Sequence, residues 1–269
     1  MRVINNFSNL GTLYEAYQAV MSAPPSRPRG ELIYDLRGVA LIFDLNEPVL
    51  TSFVHRNLNL TYCKREWLWY IGADPYDDSI SQWAKMWAKL QQPDGRFFSN
   101  YGHYIFGGRP SQFDYVLNQL QDDPDSRRAS MVLLERGHLF KENVDTVCTY
   151  AINFAIVSGQ LNMTVHMRSN DVVFGLTNDA FCFSQLAEFV YQGLAATNPH
   201  LKRGQYVHIA DSLHVYRRHF DMLEQILKDP TTTSRIDVPR PSWLEVCELI
   251  DSGGQRGRGE YSEWLKTVD

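Results

Sequence analysis

The sequence predicts a single α+β domain, and three observations lead there. Apolar residues recur at helical spacing in the outer parts of the chain but alternate with polar ones through the centre, around residues 129–168. Helical and strand-like stretches are grouped instead of strictly alternating, which is not the pattern of a doubly wound parallel sheet. The 269 residues are 44% hydrophobic, with 14 Tyr, 14 Phe and 6 Trp, and no repeat or low-complexity linker divides them. One substantial core over residues 1–269 is the simplest outcome.

In chain order, LGTLYEAYQAVM (10–21) carries its apolar residues at helical spacing. SAPPSRPRG (22–30) is too rich in proline for a regular element and reads as a loop. LIYDLRGVALIF (32–43) suits a strand. Leu60 to Leu90 reads as mostly helical, anchored by Trp67, Trp69, Trp83 and Trp87. SQFDYVLNQLQ (111–121) is a further helix, followed by the turn-like DDPDS. ASMVLL, CTYAINFAIV and QLNMTVHMR then read as strands, with Ser158-Gly159 turning the second into the third. In the third, Leu161, Met163, Val165 and Met167 share one face, opposite Asn162, Thr164, His166 and Arg168. Asn178 or Asp179 is expected to cap the apolar helix AFCFSQLAEFVYQGL. GQYVHIADSLHVY is a strand leading to the helix of RRHFDMLEQIL, and the tail after Pro239 is short helix around a flexible GGQRGRG insert.

Charge and cysteine usage exclude several classes. A net charge of -5 without any basic run argues against polymeric nucleic acid, although a small anion held by a few arginines stays open. No apolar run approaches the roughly 20 residues of a membrane span, and the N-terminus lacks a signal-peptide layout. The four cysteines are scattered and form no CxxC pair, so neither a metal centre nor a disulfide framework is expected. The reducing cytoplasm is the expected location.

Candidate chemistry is distributed. Cys148 opens a strand after a polar loop; such a residue is ordinarily a small core side chain, but nearby arginines would favour its nucleophilic thiolate. Arg127-Arg128 follow a turn, and Arg168 stands beside Ser169, a pairing of forked donor and hydroxyl that suits a phosphate. Surface ion pairing is the plainer alternative for any one of them. Glu66 lies among aromatics, where burial would raise its pKa and suit it to proton transfer; a solvent-facing Glu is the alternative. His214 and Tyr216 share a strand face and could hold a sugar hydroxyl or form a polar pair in the core.

Together, REWLWY (65–70), SNYG (99–102), DPDSRR (123–128), Cys148, RSNDVVFGLTND (168–179) and SLHVYRRHF (212–220) resemble the thymidylate synthase family, most nearly its phage-type deoxycytidylate-hydroxymethylating branch. The resemblance spans roughly Arg29 to Phe220 and leaves the tail 239–269 unassigned. It implies a large bent mixed β-sheet flanked by helices, packed sheet-to-sheet into a homodimer. It also implies that Cys148 adds to carbon 6 of a pyrimidine and that Glu66 organises water and proton transfer. Arg168, Ser169 and Asn170 would bind the nucleotide, Arg127 and Arg128 would reach its phosphate from the partner subunit, and Arg29 is a further phosphate candidate. His214 and Tyr216 would hold the 3′-hydroxyl. The implied one-carbon donor is 5,10-methylenetetrahydrofolate, with Asp171 facing it and Trp87 and Tyr101 lining the cavity.

Asp179 carries the substrate expectation. Thymidylate synthases have Asn at the matching position, whose amide can accept from uracil's ring NH and donate to oxygen 4. Cytosine presents the opposite pattern, which a carboxyl sharing one proton with ring nitrogen 3 satisfies. Asn178 would read uracil if the register slipped by one, but the Arg-to-reader spacing favours Asp179. Thr149 replaces the His that follows the nucleophile in thymidylate synthases, and the family's apolar closing segment is not evident in YSEWLKTVD. Both departures suit water capture over hydride transfer. The expectation is hydroxymethylation of dCMP; the alternatives are the same reaction on CMP, dUMP chemistry including thymidylate synthesis, and a non-catalytic nucleotide-binding relative.

Overall fold

The computed structural model describes residues 1–47, 52–140, 142–232 and 236–268. The chain starts with β1 (Arg2–Asn5), α1 (Asn9–Met21), a two-residue β2 (Pro25–Ser26) and β3 (Ile33–Asp44). Then come α2 (Leu60–Gly72), α3 (Tyr101–Phe106) and α4 (Gln112–Asp122). The central strands are β4 (Ser130–Val132), β5 (Thr149–Val157), β6 (Gln160–Met167) and β7 (Asn170–Asp171). They lead to α5 (Gly175–Ala195), β8 (Lys202–Tyr216), α6 (Phe220–Lys228), α7 (Trp243–Asp251) and α8 (Glu260–Lys266).

All strands among the described residues join one sheet in the order β1-β3-β8-β6-β5-β4, with β2 beside β3 and β7 beside β8. It is mixed: β1/β3, β6/β8 and β7/β8 are parallel, the other pairs antiparallel. The β5–β6 hairpin turns at Ser158 (φ 52°) and Gly159 (φ 72°), the left-handed pair that matches the twist of two strands. Along β6, Leu161, Met163, Val165 and Met167 are buried while Asn162, Thr164 and His166 are half-exposed, as the alternation predicts. Helices cover the first face; α1 packs on β3, and α5 lies over β6 and β8 with α2, α4 and α7 against its outer side. The second face, with Val207 and Ile209 of β8 and Ala151, Asn153 and Ala155 of β5, stays half-exposed.

Four expectations need correction. The helix from Leu60 stops at Gly72, with Ala73 left-handed at its end and Asp74 held out of helical geometry by Pro75; only short 3-10 turns (Ser79–Gln82, Trp87–Lys89) follow towards Leu90. The loop 22–30 contributes β2, whose residues pair with Ile33 and Tyr34. Neither Asn178 nor Asp179 caps α5, which begins at Gly175; the carboxylate of Asp171 accepts from the N–H groups of Val173 and Phe174 (both 3.2 Å) and organises that turn. Asp179 therefore sits one turn inside the helix.

The GGQRGRG insert is packed instead of loose. A Cβ on Gly259 would lie 2.3 Å from Glu245 Oε2, and the Glu245 carboxylate accepts from Ser262 N (2.8 Å) and Oγ (2.7 Å). This ties α8 to α7. From α8, Tyr261 is fully buried; its hydroxyl accepts from Trp67 Nε1 and donates to Gln185 Oε1, each at 2.8 Å. The tail thus braces α2 and α5 from outside, and Tyr261 and Leu265 belong to the same continuous core as the sheet.

Candidate active site

The β5–β6 hairpin explains why residues twenty apart in sequence meet. Thr149 pairs with Met167, so Cys148 and Arg168 emerge side by side, joined by Arg168 N–H donating to Cys148 O (2.8 Å). The Arg168 guanidinium bends back along the preceding loop and donates to the carbonyls of Val147 (3.0 Å) and Thr146. One arginine thus fixes the backbone on which the nucleophile candidate rides. Beyond it the chain pairs with β8, Asn170 beside Leu213 and Asp171 beside His214. Ser169 Oγ lies 3.5 Å from His214 Nδ1, and the His214 and Tyr216 rings meet edge to face at 4.9 Å. His214 and Tyr216 lie together, as their spacing predicts, and Ser169 joins them. Burial keeps His214 below the ordinary imidazole range, so it is neutral near pH 7.

Glu66 comes from the inward face of α2 and is 5% exposed. Its Oε1 accepts from Tyr70 OH (3.4 Å), and Tyr62 stands on its other side, its own hydroxyl accepting from Trp87 Nε1 (2.9 Å). Tyr62 and Tyr70 lie four residues before and after Glu66, a helical spacing that could have found them from the sequence. Tyr101 reaches the same chamber because Gly102 packs directly on Tyr70, where a Cβ would lie 1.7 Å from Tyr70 O. The Tyr101 ring sits 5.4 Å from that of Tyr70 and 5.9 Å from that of Phe183.

From α5, Asp179 points into this chamber and its Oδ2 accepts from Asn170 Nδ2 at 2.7 Å. Asn178 turns away from the chamber, its Oδ1 accepting from Cys63 Sγ (3.3 Å) on α2. The charge of Asp179 acts on Cys148, Glu66, Tyr70 and Tyr101, which places all four within its electrostatic reach. Burial pushes Glu66 up to about 8 and Asp179 to about 7, with mutual repulsion adding to the former. The Cys148 thiol is pushed up to about 11 by burial, which outweighs the opposing pull of Arg168 and Arg29. The arginines do favour its thiolate, but the resting group is a thiol, so nucleophilic addition must be accompanied by proton removal.

Two carboxyls that hold protons near neutrality leave a signature in stability. The folded pKa exceeds the ordinary carboxylate value near 4, so the folded chain binds more protons than the unfolded one between the two. Stability from these groups is complete below that value and is lost as pH rises through 7 to 8. Melting temperature should therefore fall between pH 7 and 8.5, above the range where buried histidines such as His208 act in the opposite sense, and Glu66→Gln should remove more than half of the fall. Thermal scans of both proteins across that range check it; parallel curves would mean that Glu66 titrates as an ordinary carboxylate.

The remaining candidates divide. Arg29 is exposed in a left-handed turn (φ 53°), and its charge reaches both Cys148 and Tyr216. Asp171 is half-buried at the start of α5, acting electrostatically on Asp179 and His214. Trp87 is buried against Trp69 (4.9 Å), on the Glu66 side of the chamber through Tyr62. Arg127 and Arg128 are exposed and stand elsewhere: Ala129 O accepts from Phe154 N, putting them alongside the end of β5 remote from Cys148. Seven residues of strand separate those levels, roughly 20 Å, beyond the reach of an arginine side chain. This chain does not bring them to its own Cys148. Among the described residues no group of three or more His, Cys, Asp or Glu could hold a metal, and no helix is long and apolar enough to cross a membrane.

A model of the family described as thymidylate synthase matches residues 22–249. The chain is 32% identical over 216 residues to the deoxycytidylate 5-hydroxymethyltransferase of Enterobacteria phage T6, covering 75% of this chain and 86% of that one. The chain belongs to the thymidylate synthase family. The T4 phage deoxycytidylate 5-hydroxymethyltransferase is 31% identical over the same length, and the thymidylate synthase of Fusobacterium nucleatum subsp. nucleatum 27% over 176 residues, 64% of this chain and 62% of that one. In structure it is similar to thermostable thymidylate synthase A from Bacillus subtilis, with a TM-score of 0.61 at 20% identity over 82% of this chain and 84% of that one, a likeness of fold. The family match extends beyond Phe220 to residue 249, taking in most of α7. Thymidylate synthase family enzymes transfer a one-carbon unit to pyrimidine nucleotides and use methylenetetrahydrofolate as donor.

Proposed function

We propose that this enzyme converts dCMP to 5-hydroxymethyl-dCMP, using 5,10-methylenetetrahydrofolate, with Cys148 as nucleophile and Asp179 as the reader of the base. The observation that carries the reading is Asp179, a carboxyl at about pKa 7 facing the chamber of Cys148 where it can share a proton with ring nitrogen 3 and accept from the 4-amino group. The likeness to two phage deoxycytidylate 5-hydroxymethyltransferases supports it.

In this reading Arg168 and Ser169, with Arg29, hold the 5′-phosphate, and His214 and Tyr216 hold the 3′-hydroxyl. Cys148 Sγ adds to carbon 6, giving its proton up to water, while Asp179 supplies a proton to ring nitrogen 3, and carbon 5 becomes the nucleophile. The folate supplies a one-carbon electrophile when bound. Trp83 and Met86 offer exposed apolar surface that fits its flat ring, on the segment that leads into the buried Trp87 beside Tyr62. Glu66 takes part in proton removal from carbon 5, which would expel tetrahydrofolate and leave an exocyclic methylene, and it holds the water that adds to that carbon before Cys148 leaves carbon 6. Glu66 Oε2 and Thr149 Oγ1 are buried without a protein partner, the kind of atoms that bind ordered water. The half-exposed sheet face would pair with that of a second copy, and Arg127 and Arg128 would serve the partner's phosphate site.

The test is tritium release from carbon 5 of labelled dCMP, CMP and dUMP with methylenetetrahydrofolate, followed by product mass. Release chiefly from dCMP with a hydroxymethyl product is expected. Release chiefly from CMP or dUMP would overturn the substrate assignment, and no release from any would leave a nucleotide-binding relative.

A further inference from the structure

A neutral carboxyl is an ambiguous reader of pyrimidines. With its proton on one oxygen it offers a donor to ring nitrogen 3 and an acceptor to position 4, the complement of cytosine. With the proton on the other oxygen the same group offers an acceptor to N3–H and a donor to oxygen 4, the complement of uracil. Burial holds Asp179 in the range where it carries a proton for much of the time. Something must therefore decide which oxygen bears it, or the chamber would accept both bases.

We propose that Asn170 makes that decision: it keeps the proton of Asp179 on Oδ1, reserves Oδ2 as the acceptor for position 4, and so admits cytosine and rejects uracil. The inference rests on the proposed dCMP reading and adds to it a specificity-determining residue that acts through Asp179. Asn170 Nδ2 donates to Asp179 Oδ2 at 2.7 Å, and a proton on that oxygen would face the amide hydrogen. Turning the amide over would relieve the conflict, but a second bond of Nδ2 holds it. The same Nδ2 also donates to Met167 Sδ at 3.1 Å, so both amide hydrogens are committed. Turned over, Nδ2 would lose that bond and lie where Oδ1 now packs, without a protein partner, beside Gly175, one helical turn before Asp179 on α5. At 3% exposure the amide has no solvent route to an alternative arrangement. The other charged or titratable groups acting on Asp179 or feeling its charge include Glu66 and Tyr70 from α2, Tyr101 from α3, Asp171 from β7, Cys182 from α5, Tyr206 from β8 and Cys148 before β5. The hydrogen bond to Asp179 Oδ2 comes from Asn170.

The experiment is equilibrium binding of dCMP and dUMP, without folate, to the wild-type full chain and to Asn170→Ala, with Asn170→Gln as the variant that keeps an amide donor. The wild type should prefer dCMP; Asn170→Ala should narrow that preference at least tenfold, largely by gaining affinity for dUMP, and Asn170→Gln should restore part of it. A loss of packing alone would weaken both nucleotides together and leave their ratio unchanged, and that result overturns the proposal. A wild type that prefers dUMP would overturn both this proposal and the dCMP reading. A wild type that binds dCMP preferentially but fails to release tritium from it would overturn the catalytic reading alone, because the binding ratio does not depend on turnover.

Discussion

Replacing Cys148 with Ala should abolish tritium release, lowering turnover by at least about 10³-fold, while dCMP binding stays close to that of the wild type. Carbon 5 of a pyrimidine is a poor nucleophile until something adds to carbon 6, so removing Sγ removes the step that activates the ring. Binding should survive because the groups assigned to the phosphate and sugar do not lean on the thiol. The Arg168 guanidinium is anchored by the carbonyls of Val147 and Thr146, and its backbone N–H bonds to Cys148 O, which Ala retains. No other cysteine stands ready to substitute: Cys63 is buried and donates to Asn178, Cys182 is buried within α5, and Cys247 lies on α7. Isothermal titration with dCMP alongside the release assay separates the two effects. Residual turnover near the wild-type level would remove covalent addition by Cys148 from the mechanism.

Much of this arrangement was legible in the sequence, for identifiable reasons. The strict alternation of β6 and the Ser-Gly turn before it are local signals, and they fix a hairpin that delivers Cys148 to Arg168. SNYG was legible as a motif, but its reason was not: Gly102 is needed because Tyr70, thirty-two residues earlier, packs where a Cβ would stand. The start of α5 was misplaced because Asn178-Asp179 is a strong capping pair by composition, whereas Asp171 already serves the backbone N–H groups at the turn. One turn inside the helix, the Asp179 carboxyl is freed from capping and half-buried, with Asn170 as its partner. The glycine-rich insert looked mobile from composition, yet its glycines allow close approach to Glu245 and Ser262, contacts between segments that composition does not encode. The effect of burial on Cys148 was likewise hidden, because neighbouring arginines are visible in a sequence and a desolvated chamber is not.

Asp179→Asn should reverse the order of the two nucleotides at the catalytic step, with the dCMP-to-dUMP ratio of kcat/KM falling by on the order of 10²–10³. Two effects act in the same direction. As Sγ adds to carbon 6 of cytosine, negative charge builds on ring nitrogen 3, and a carboxylic acid near pKa 7 can deliver a proton there. An amide N–H can only donate a hydrogen bond, so dCMP turnover should collapse even where dCMP still binds. For dUMP the amide is the better partner, because its oxygen accepts from N3–H and its NH2 donates to oxygen 4. That orientation, however, turns the new NH2 towards Asn170 Nδ2, the donor that now serves Asp179 Oδ2. Asp179→Asn alone should therefore gain dUMP activity only in part, and adding Asn170→Ala should raise it further. Release assays on both nucleotides with the single and double variants measure the two contributions separately. An unchanged ratio in the single variant would remove Asp179 as the reader, and a double variant with no more dUMP activity than the single would show that Asn170 does not oppose the uracil-reading arrangement.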